Sequence, residues 1–204
     1  MTNRLVWNFE FTPSTNFLLL NLDKVEENEL KWEARFFWPE TEIITLQLLD
    51  SDLLELAHYQ HKQKSDKYYL LKQGFNIKNR RDELVYKPLI KKGKYSLGFG
   101  HKLTLAEPDK TPPDLYKSDL KKIIAGIKHS TAVLVKKESF SYKFATQPHT
   151  KLELARIEIN SAIYFTLCVE GQSRYLVEKI SKKLLGKRAT EDYVGFLKGI
   201  AGAS

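Results

Sequence analysis

The stretch "ELKWEARFFWP", residues 29–39, alternates strictly between charged and apolar residues over its first seven positions. The charged set is Glu29, Lys31, Glu33 and Arg35, and the apolar set is Leu30, Trp32 and Ala34. Because an extended chain sends successive side chains to opposite faces, the pattern predicts a strand with one apolar face and one face of alternating acids and bases. Such a charged face either meets bulk water or lines a site.

The composition indicates one folded domain of 204 residues, in which residues 1–28 form an N-terminal extension of unassigned role. With 42% hydrophobic residues the chain can bury a sizeable core, and its apolar runs are too short for a transmembrane helix of ~20 residues. The start lacks the layout of a signal peptide, and a single cysteine, Cys168, allows no internal disulfide. We therefore expect a soluble, cytoplasmic protein with no membrane partner, and its oligomeric state is open.

The rest of the chain is rich in strand patterns. Residues 131–144, 151–159 and 163–171 are predicted strands, and Ser173 caps a 3.6-residue apolar periodicity that predicts a helix ending near Gly186. Many antiparallel strands with a few helices indicate an α+β domain built on a strongly curved sheet or barrel.

Several of these strands repeat the opening pattern, with charge on one face and apolar residues on the other. The charged positions are Lys78 and Arg80, Lys87, Lys137, Lys151 and Glu153, and Glu170. In a flat sheet this is the ordinary solvated side, which alternation alone favours. In a sheet closed into a tunnel the charged faces turn inward, where lysines and arginines would neutralise phosphates and glutamates would hold Mg²⁺ or Mn²⁺. The net charge of +8 agrees with an anionic partner without choosing one.

Six segments resemble, in order, the strand motifs of CYTH proteins, the triphosphate tunnel group that includes class IV adenylate cyclases, thiamine triphosphatases and inorganic triphosphatases. "KWEAR" is similar to the E-x-E-x-K strand and "DKYYL" to D-x-Y-Y, while "NIKNR" is similar to L-R-x-R and "ELVYKPL" to L-x-L-K. "VKKESFSY" resembles the K-x-R strand, and "YFTLCVEG" stands where an E-I-E strand closes the family's site. The ordered set favours the tunnel over the flat sheet.

The resemblance implies an antiparallel eight-stranded β-barrel or tunnel with flanking helices. It would bind a triphosphate-bearing small molecule, with hydrolysis assisted by Mg²⁺ or Mn²⁺. The implied phosphate-binding residues are Lys31, Arg35, Lys78, Arg80, Lys87 and Lys137. Glu33 and Glu170 are the implied catalytic and metal-binding residues, and Glu153, from its parity with Lys151, is a further metal-binding candidate.

Three departures from the family pattern bear on catalysis. Lys31 replaces the first glutamate of E-x-E-x-K, Cys168 replaces the first glutamate of E-I-E, and Ser139 stands where K-x-R has its arginine. A lysine places positive charge where a divalent cation would lie, so Lys31 weakens a metal site while it improves plain anion binding. Two alternatives to a triphosphatase therefore stay open: a catalytically degenerate phosphate- or nucleotide-binding protein, and a basic nucleic-acid-binding module.

Overall fold

The structure, a computed structural model, describes residues 2–13, 28–105 and 117–202. Within these ranges the chain forms three α-helices, two short 3₁₀ helices (Ser51–Leu54 and Leu56–His58) and thirteen strands. Ten of the strands make one antiparallel sheet. Residues 14–27 of the predicted N-terminal extension lie outside the described residues. No helix within the described ranges is both long and apolar enough to cross a membrane.

The large sheet has the strand order β10-β7-β6-β5-β11-β12-β13-β3-β9-β8. Its strands are β3 (Lys31–Pro39), β5 (Gln60–Leu70), β6 (Asn76–Arg80), β7 (Glu83–Lys87), β8 (Leu89–Lys92), β9 (Leu97–Phe99), β10 (Leu103–Thr104), β11 (Thr131–Phe144), β12 (Thr150–Ile159) and β13 (Ala162–Gly171). The expected α+β class and curved antiparallel sheet are confirmed, but the expected count of eight strands is wrong. Pro88 has no N–H for the ladder and divides what would be one strand into β7 and β8, and β10 adds a two-residue edge.

The sheet curls until its two ends approach each other. β7 is the second strand from one edge and β8 is the opposite edge, yet only Pro88 separates them along the chain. A flat sheet of ten strands cannot place these strands together, because neighbouring strands are spaced about 4.8 Å apart. The sheet therefore curls around a lumen, and every strand has an inner and an outer face.

The outer face carries the main hydrophobic core. Trp32, Ala34, Phe36 and Trp38, the even positions of β3, are buried there against helix α2 (Arg174–Leu185) and a small sheet. The helix begins at Ser173, whose hydroxyl accepts a hydrogen bond from the Leu176 amide, and is followed by Gly186, as the sequence predicts.

The small sheet contains β1 (Asn3–Val6), β2 (Phe9–Thr12) and β4 (Ile44–Gln47). Phe9 and Phe11 of β2 are fully buried in the main core. The first strands of the chain therefore help to form the body of the domain. Helix α1 (Lys117–Ile127) covers another part of the outer face, where its Ile123 packs with Ile77 and Tyr86.

Helix α3 (Tyr193–Ala201) packs on the inner face and closes one end of the lumen. Its Val194 and Leu197 are buried with Phe37 and Ile157, and the Phe196 ring stacks on Phe37 with centroids 3.8 Å apart. These apolar side chains of α3, with Phe37 and Ile157, form an apolar plug. Phe37 lies two positions beyond Arg35 on the same face of β3, so the plug borders directly on the charged part of the lumen.

Candidate anion-binding site

The lumen contains a cavity of about 210 Å³ whose walls carry nine cations and four carboxylates, a net formal charge of +5. The cations are Lys31, Arg35, Lys64, Lys78, Arg80, Lys87, Lys102, Lys137 and Lys151, and the carboxylates are Glu33, Glu153, Glu170 and Glu191. All nine residues that the sequence nominated for phosphate or metal binding are among them. Their roles stay predictions, whereas their common location is a feature of the fold.

Strand register brings these residues together. Glu33 of β3 lies opposite Glu170 of β13, and Arg35 lies opposite Cys168. Directly opposed residues of an antiparallel pair point to the same face, so an inward position on one strand fixes an inward position on the next. The alternation that begins in "KWEAR" therefore continues around the lumen.

Two lysines hold Glu170. The ammonium groups of Lys31 and Lys151 lie 2.9 and 2.5 Å from its two carboxylate oxygens. Burial favours the neutral acid, but these two charges outweigh it and hold the pKa of Glu170 well below its ordinary value. Lys151 was not nominated as a phosphate ligand, although its shared parity with Glu153 placed it on the same face.

Glu33 and Glu153 are bound in the same manner. Lys87 donates to Glu33, and the Arg35 guanidinium lies 3.9 Å from its other oxygen. Lys137 donates to both oxygens of Glu153 at 3.0 Å, and Arg35 lies 3.5 Å away. Burial disfavours the charged form of Glu153, yet Lys137 and Arg35 lower its pKa to about 2.

Asp66 is the carboxylate that the sequence analysis left without a role. Only 5% of the residue is exposed, and it accepts hydrogen bonds from Lys78 at 2.8 Å and from the Arg80 Nε at 2.6 Å. Despite its burial, the two cations lower its pKa to about 2. Asp66 lies in the "DKYYL" segment, but which cations it meets depends on the pairing of β5 with β6, which the sequence does not display.

Lys64 and Lys102 differ from the other seven cations, because neither forms an ion pair with a carboxylate within the described ranges. Burial, together with the charges of Arg80 and Lys137, lowers the pKa of Lys64 to about 8. The pKa of Lys102 is also lowered, by burial and by Lys31 and Lys87. Sequence reasoning missed both residues, since Lys64 lies in the polar run "QHKQKSDK" and Lys102 lies between strands.

Arg35 joins the charged walls to the apolar plug. Its guanidinium lies 5.1 Å from the centre of the Tyr193 ring, and its amide donates to the Thr190 hydroxyl at 2.9 Å. The Glu191 amide donates to the Arg35 carbonyl at 2.8 Å, so the segment that leads into α3 is fixed to β3. Tyr193 consequently lines the cavity, a contact that the sequence does not indicate because it joins residues far apart in the chain.

Cys168 lies opposite Arg35 in the sheet and is not among the residues that line the cavity. It is fully buried, and burial raises the pKa of its thiol well above the ordinary value even though Arg35 is close. A thiol in that state supplies almost no thiolate at neutral pH.

The carboxylates as arranged do not fit a resident divalent cation. A hard cation requires several oxygen ligands, but the oxygens of Glu33, Glu153 and Glu170 are already directed at lysine and arginine nitrogens. Among the residues that the structure describes, no three acidic, histidine or cysteine side chains are grouped so as to hold a metal. A metal would have to displace these cationic partners from the carboxylates.

Comparison with known proteins gives a distant structural match. No protein-family model matches the chain, and no curated protein matches it. Among solved structures, one from Bacillus halodurans that is named "putative adenylate cyclase" is 11% identical, with 82% of this chain and 96% of that chain covered and a TM-score of 0.38. A likeness at this level assigns no function to the chain.

Proposed function

We propose that the protein binds a triphosphate-bearing small molecule, or a similar short chain of phosphates, inside the cationic lumen. The observation that carries the proposal is the excess of nine cations over four carboxylates on the walls of one cavity. Phosphate oxygens accept charge-assisted hydrogen bonds, and lysine and arginine are the side chains that supply them.

The arrangement of the cations supports a compact ligand. They come from β3, β5, β6, β7, β11 and β12, so they surround the cavity instead of following one strand. Helix α3 closes one end, which suits a phosphate chain that enters from the other end. The resemblance of the strand motifs to CYTH proteins points to the same class of ligand.

The enclosed cavity also bears on the nucleic-acid alternative. Single-stranded nucleic acids are bound along open grooves in which aromatic side chains stack on bases. Here Tyr68 and Tyr193 face the lumen, but their rings stack on each other with centroids 5.2 Å apart. The geometry therefore favours free phosphates over a nucleic-acid strand.

Hydrolysis of the triphosphate with Mg²⁺ or Mn²⁺ is the second candidate function. One observation favours it: Glu33, Glu170 and Glu153 lie on three neighbouring strands, with Glu33 directly opposite Glu170. Against it stand the lysine and arginine partners, which the metal would have to displace. We therefore place metal-independent binding first.

Calorimetric titration with tripolyphosphate tests the proposal, first with EDTA and then with Mg²⁺, followed by an assay for released phosphate. Lys137→Gln should weaken binding because Lys137 lines the cavity. Lys136→Gln is the matched control, because Lys136 is the next residue of β11, faces outward and pairs with Glu158.

Each result has a distinct meaning. Binding in EDTA without phosphate release supports the proposed binding function, and metal-dependent release supports the hydrolase. Absence of tripolyphosphate binding refutes both, and salt-sensitive RNA binding in that case would indicate the nucleic-acid module.

A further inference from the structure

We infer that Lys64, assisted by Lys102, is the principal anion-contacting charge of the lumen, and that the other seven cations form its ion-paired frame. This inference rests on the proposed function, since it names which residues of the same cavity select the ligand. It concerns two residues to which neither the strand motifs nor the family resemblance assigns a role.

The ion pairs divide the cations into two groups. Seven cations are matched to four carboxylates: Lys31 and Lys151 to Glu170, Lys87 and Arg35 to Glu33, Lys137 with Arg35 to Glu153, and Lys78 and Arg80 to Asp66. Each of these seven already contacts a carboxylate within the protein. Lys64 and Lys102 contact no carboxylate of the described residues, so an incoming anion gains most there.

Lys64 is held in an unfavourable position. It lies directly opposite Lys137 in the β5–β11 register, half-buried, and like charges directly opposite each other destabilise a sheet. Arg80 and Lys78 of β6 add further positive charge, and Glu153 of β12, already bound by Lys137, offsets part of it. A lysine without an ion-pair partner at this position destabilises the empty protein, and a bound phosphate would provide that partner.

Lys102 adds a second unpaired ammonium. It follows β9 and lines the same cavity, where Lys31, Lys87, Lys78 and Arg80 disfavour its charge. Lys64 and Lys102 line the same cavity, and the charges of Lys78 and Arg80 disfavour the charged form of both. One short polyanion can therefore neutralise both.

The test compares tripolyphosphate binding by the wild-type protein, Lys64→Gln, Lys64→Arg and Lys67→Gln at pH 7 in EDTA. Lys67 is the matched control, because it lies on the same strand but on the outward parity and is exposed. Loss of one charge-assisted contact should weaken binding about 10- to 100-fold in Lys64→Gln. Lys64→Arg should recover most of the affinity, and Lys67→Gln should bind like the wild type.

Thermal unfolding without ligand separates a binding role from a structural one. Lys64→Gln should be at least as stable as the wild type because a like-charge repulsion is removed, whereas Lys78→Gln should be less stable because it leaves Asp66 with one partner fewer. Wild-type-like affinity in Lys64→Gln, or a loss of stability equal to that of Lys78→Gln, overturns the inference alone. Failure of the wild-type protein to bind tripolyphosphate overturns the proposed function, and the inference with it.

Discussion

Replacement of Asp66 by asparagine should lower the stability of the empty protein and raise its affinity for anions. Asp66→Asn keeps the side-chain volume but removes the charge that Lys78 and Arg80 share. The depression of the Asp66 pKa from 3.8 to about 2 corresponds to about 2 kcal/mol of stability at neutral pH. Removal of one partner from a buried ion pair costs about 3–5 kcal/mol, since the remaining charges are left unpaired.

These two values give an expected loss of about 2–5 kcal/mol in the free energy of unfolding. For a domain of this size 1 kcal/mol shifts Tm by about 2–4 °C, so Asp66→Asn should lower Tm by roughly 4–20 °C. The difference from the wild type should shrink as the pH falls from about 4 towards 2, because a group with a depressed pKa loses its stabilising contribution as it is protonated. Glu158→Gln is the control, since Glu158 pairs with Lys136 on the exposed face and such pairs contribute about 0–1 kcal/mol.

The same change should strengthen anion binding, because it removes the carboxylate charge that binds Lys78 and Arg80, two cations of the cavity wall. Tripolyphosphate should therefore raise the Tm of Asp66→Asn by more than it raises that of the wild type, as measured by differential scanning fluorimetry. An unchanged Tm in the empty protein would refute the structural reasoning. A lower Tm combined with weaker stabilisation by tripolyphosphate would refute the view that the paired cations can turn towards a ligand.

Four further predictions use the same site. Cys168 should react with a thiol reagent only after unfolding, because it is buried and burial raises the pKa of its thiol; rapid labelling of the native protein would contradict this. Tripolyphosphate affinity should fall between pH 7 and 9 more steeply in the wild type than in Lys64→Gln, since Lys64 loses its proton near pH 8, and calorimetry at the two pH values would show the difference. In the empty protein the ionisation of Lys64 should make stability rise between about pH 8 and 10.5, because the unfolded chain binds more protons there. Lys31→Glu should create Mn²⁺ binding that the wild type lacks, because it removes one ammonium from Glu170 and adds a carboxylate beside Glu33. Titration with Mn²⁺ measures this binding. Absence of binding in both proteins would count against the view that Lys31 prevents metal binding.

The location of the nominated residues was predictable because a strand's side-chain period is local. The alternation in β3 assigns Lys31, Glu33 and Arg35 to one face without any knowledge of the neighbouring strands. Strand pairing then places the charged positions of neighbouring strands on the same face of the sheet. The register is fixed because a shift of one residue between two strands would move every apolar side chain of the shifted strand out of the outer core. For this reason Glu170 and Lys137, far away in sequence, reach the same cavity.

The closure of the sheet and the pairing of its charges were not predictable in the same way. The division of the chain at Pro88 and the position of α3 on the inner face depend on contacts between distant segments. Whether Asp66 meets Lys78 and Arg80 depends on the β5–β6 register. Lys64 lies in a polar stretch whose outward neighbours are also polar, so no alternation marks its inward direction.

The buried carboxylates are compatible with an anion-binding lumen because of how many hydrogen bonds its cations can donate. Nine unpaired cations around one cavity would be prohibitively unfavourable, since each buried charge must be paired or hydrogen-bonded. A lysine has three donor hydrogens and an arginine five, so a cation that contacts one carboxylate retains donors for a phosphate. The carboxylates thus fix the directions of seven cations without consuming all of their donors, and the two unpaired lysines supply the charge that an incoming anion neutralises. On this account the affinity for a polyanion should depend more on Lys64 than on any one ion-paired lysine of comparable exposure.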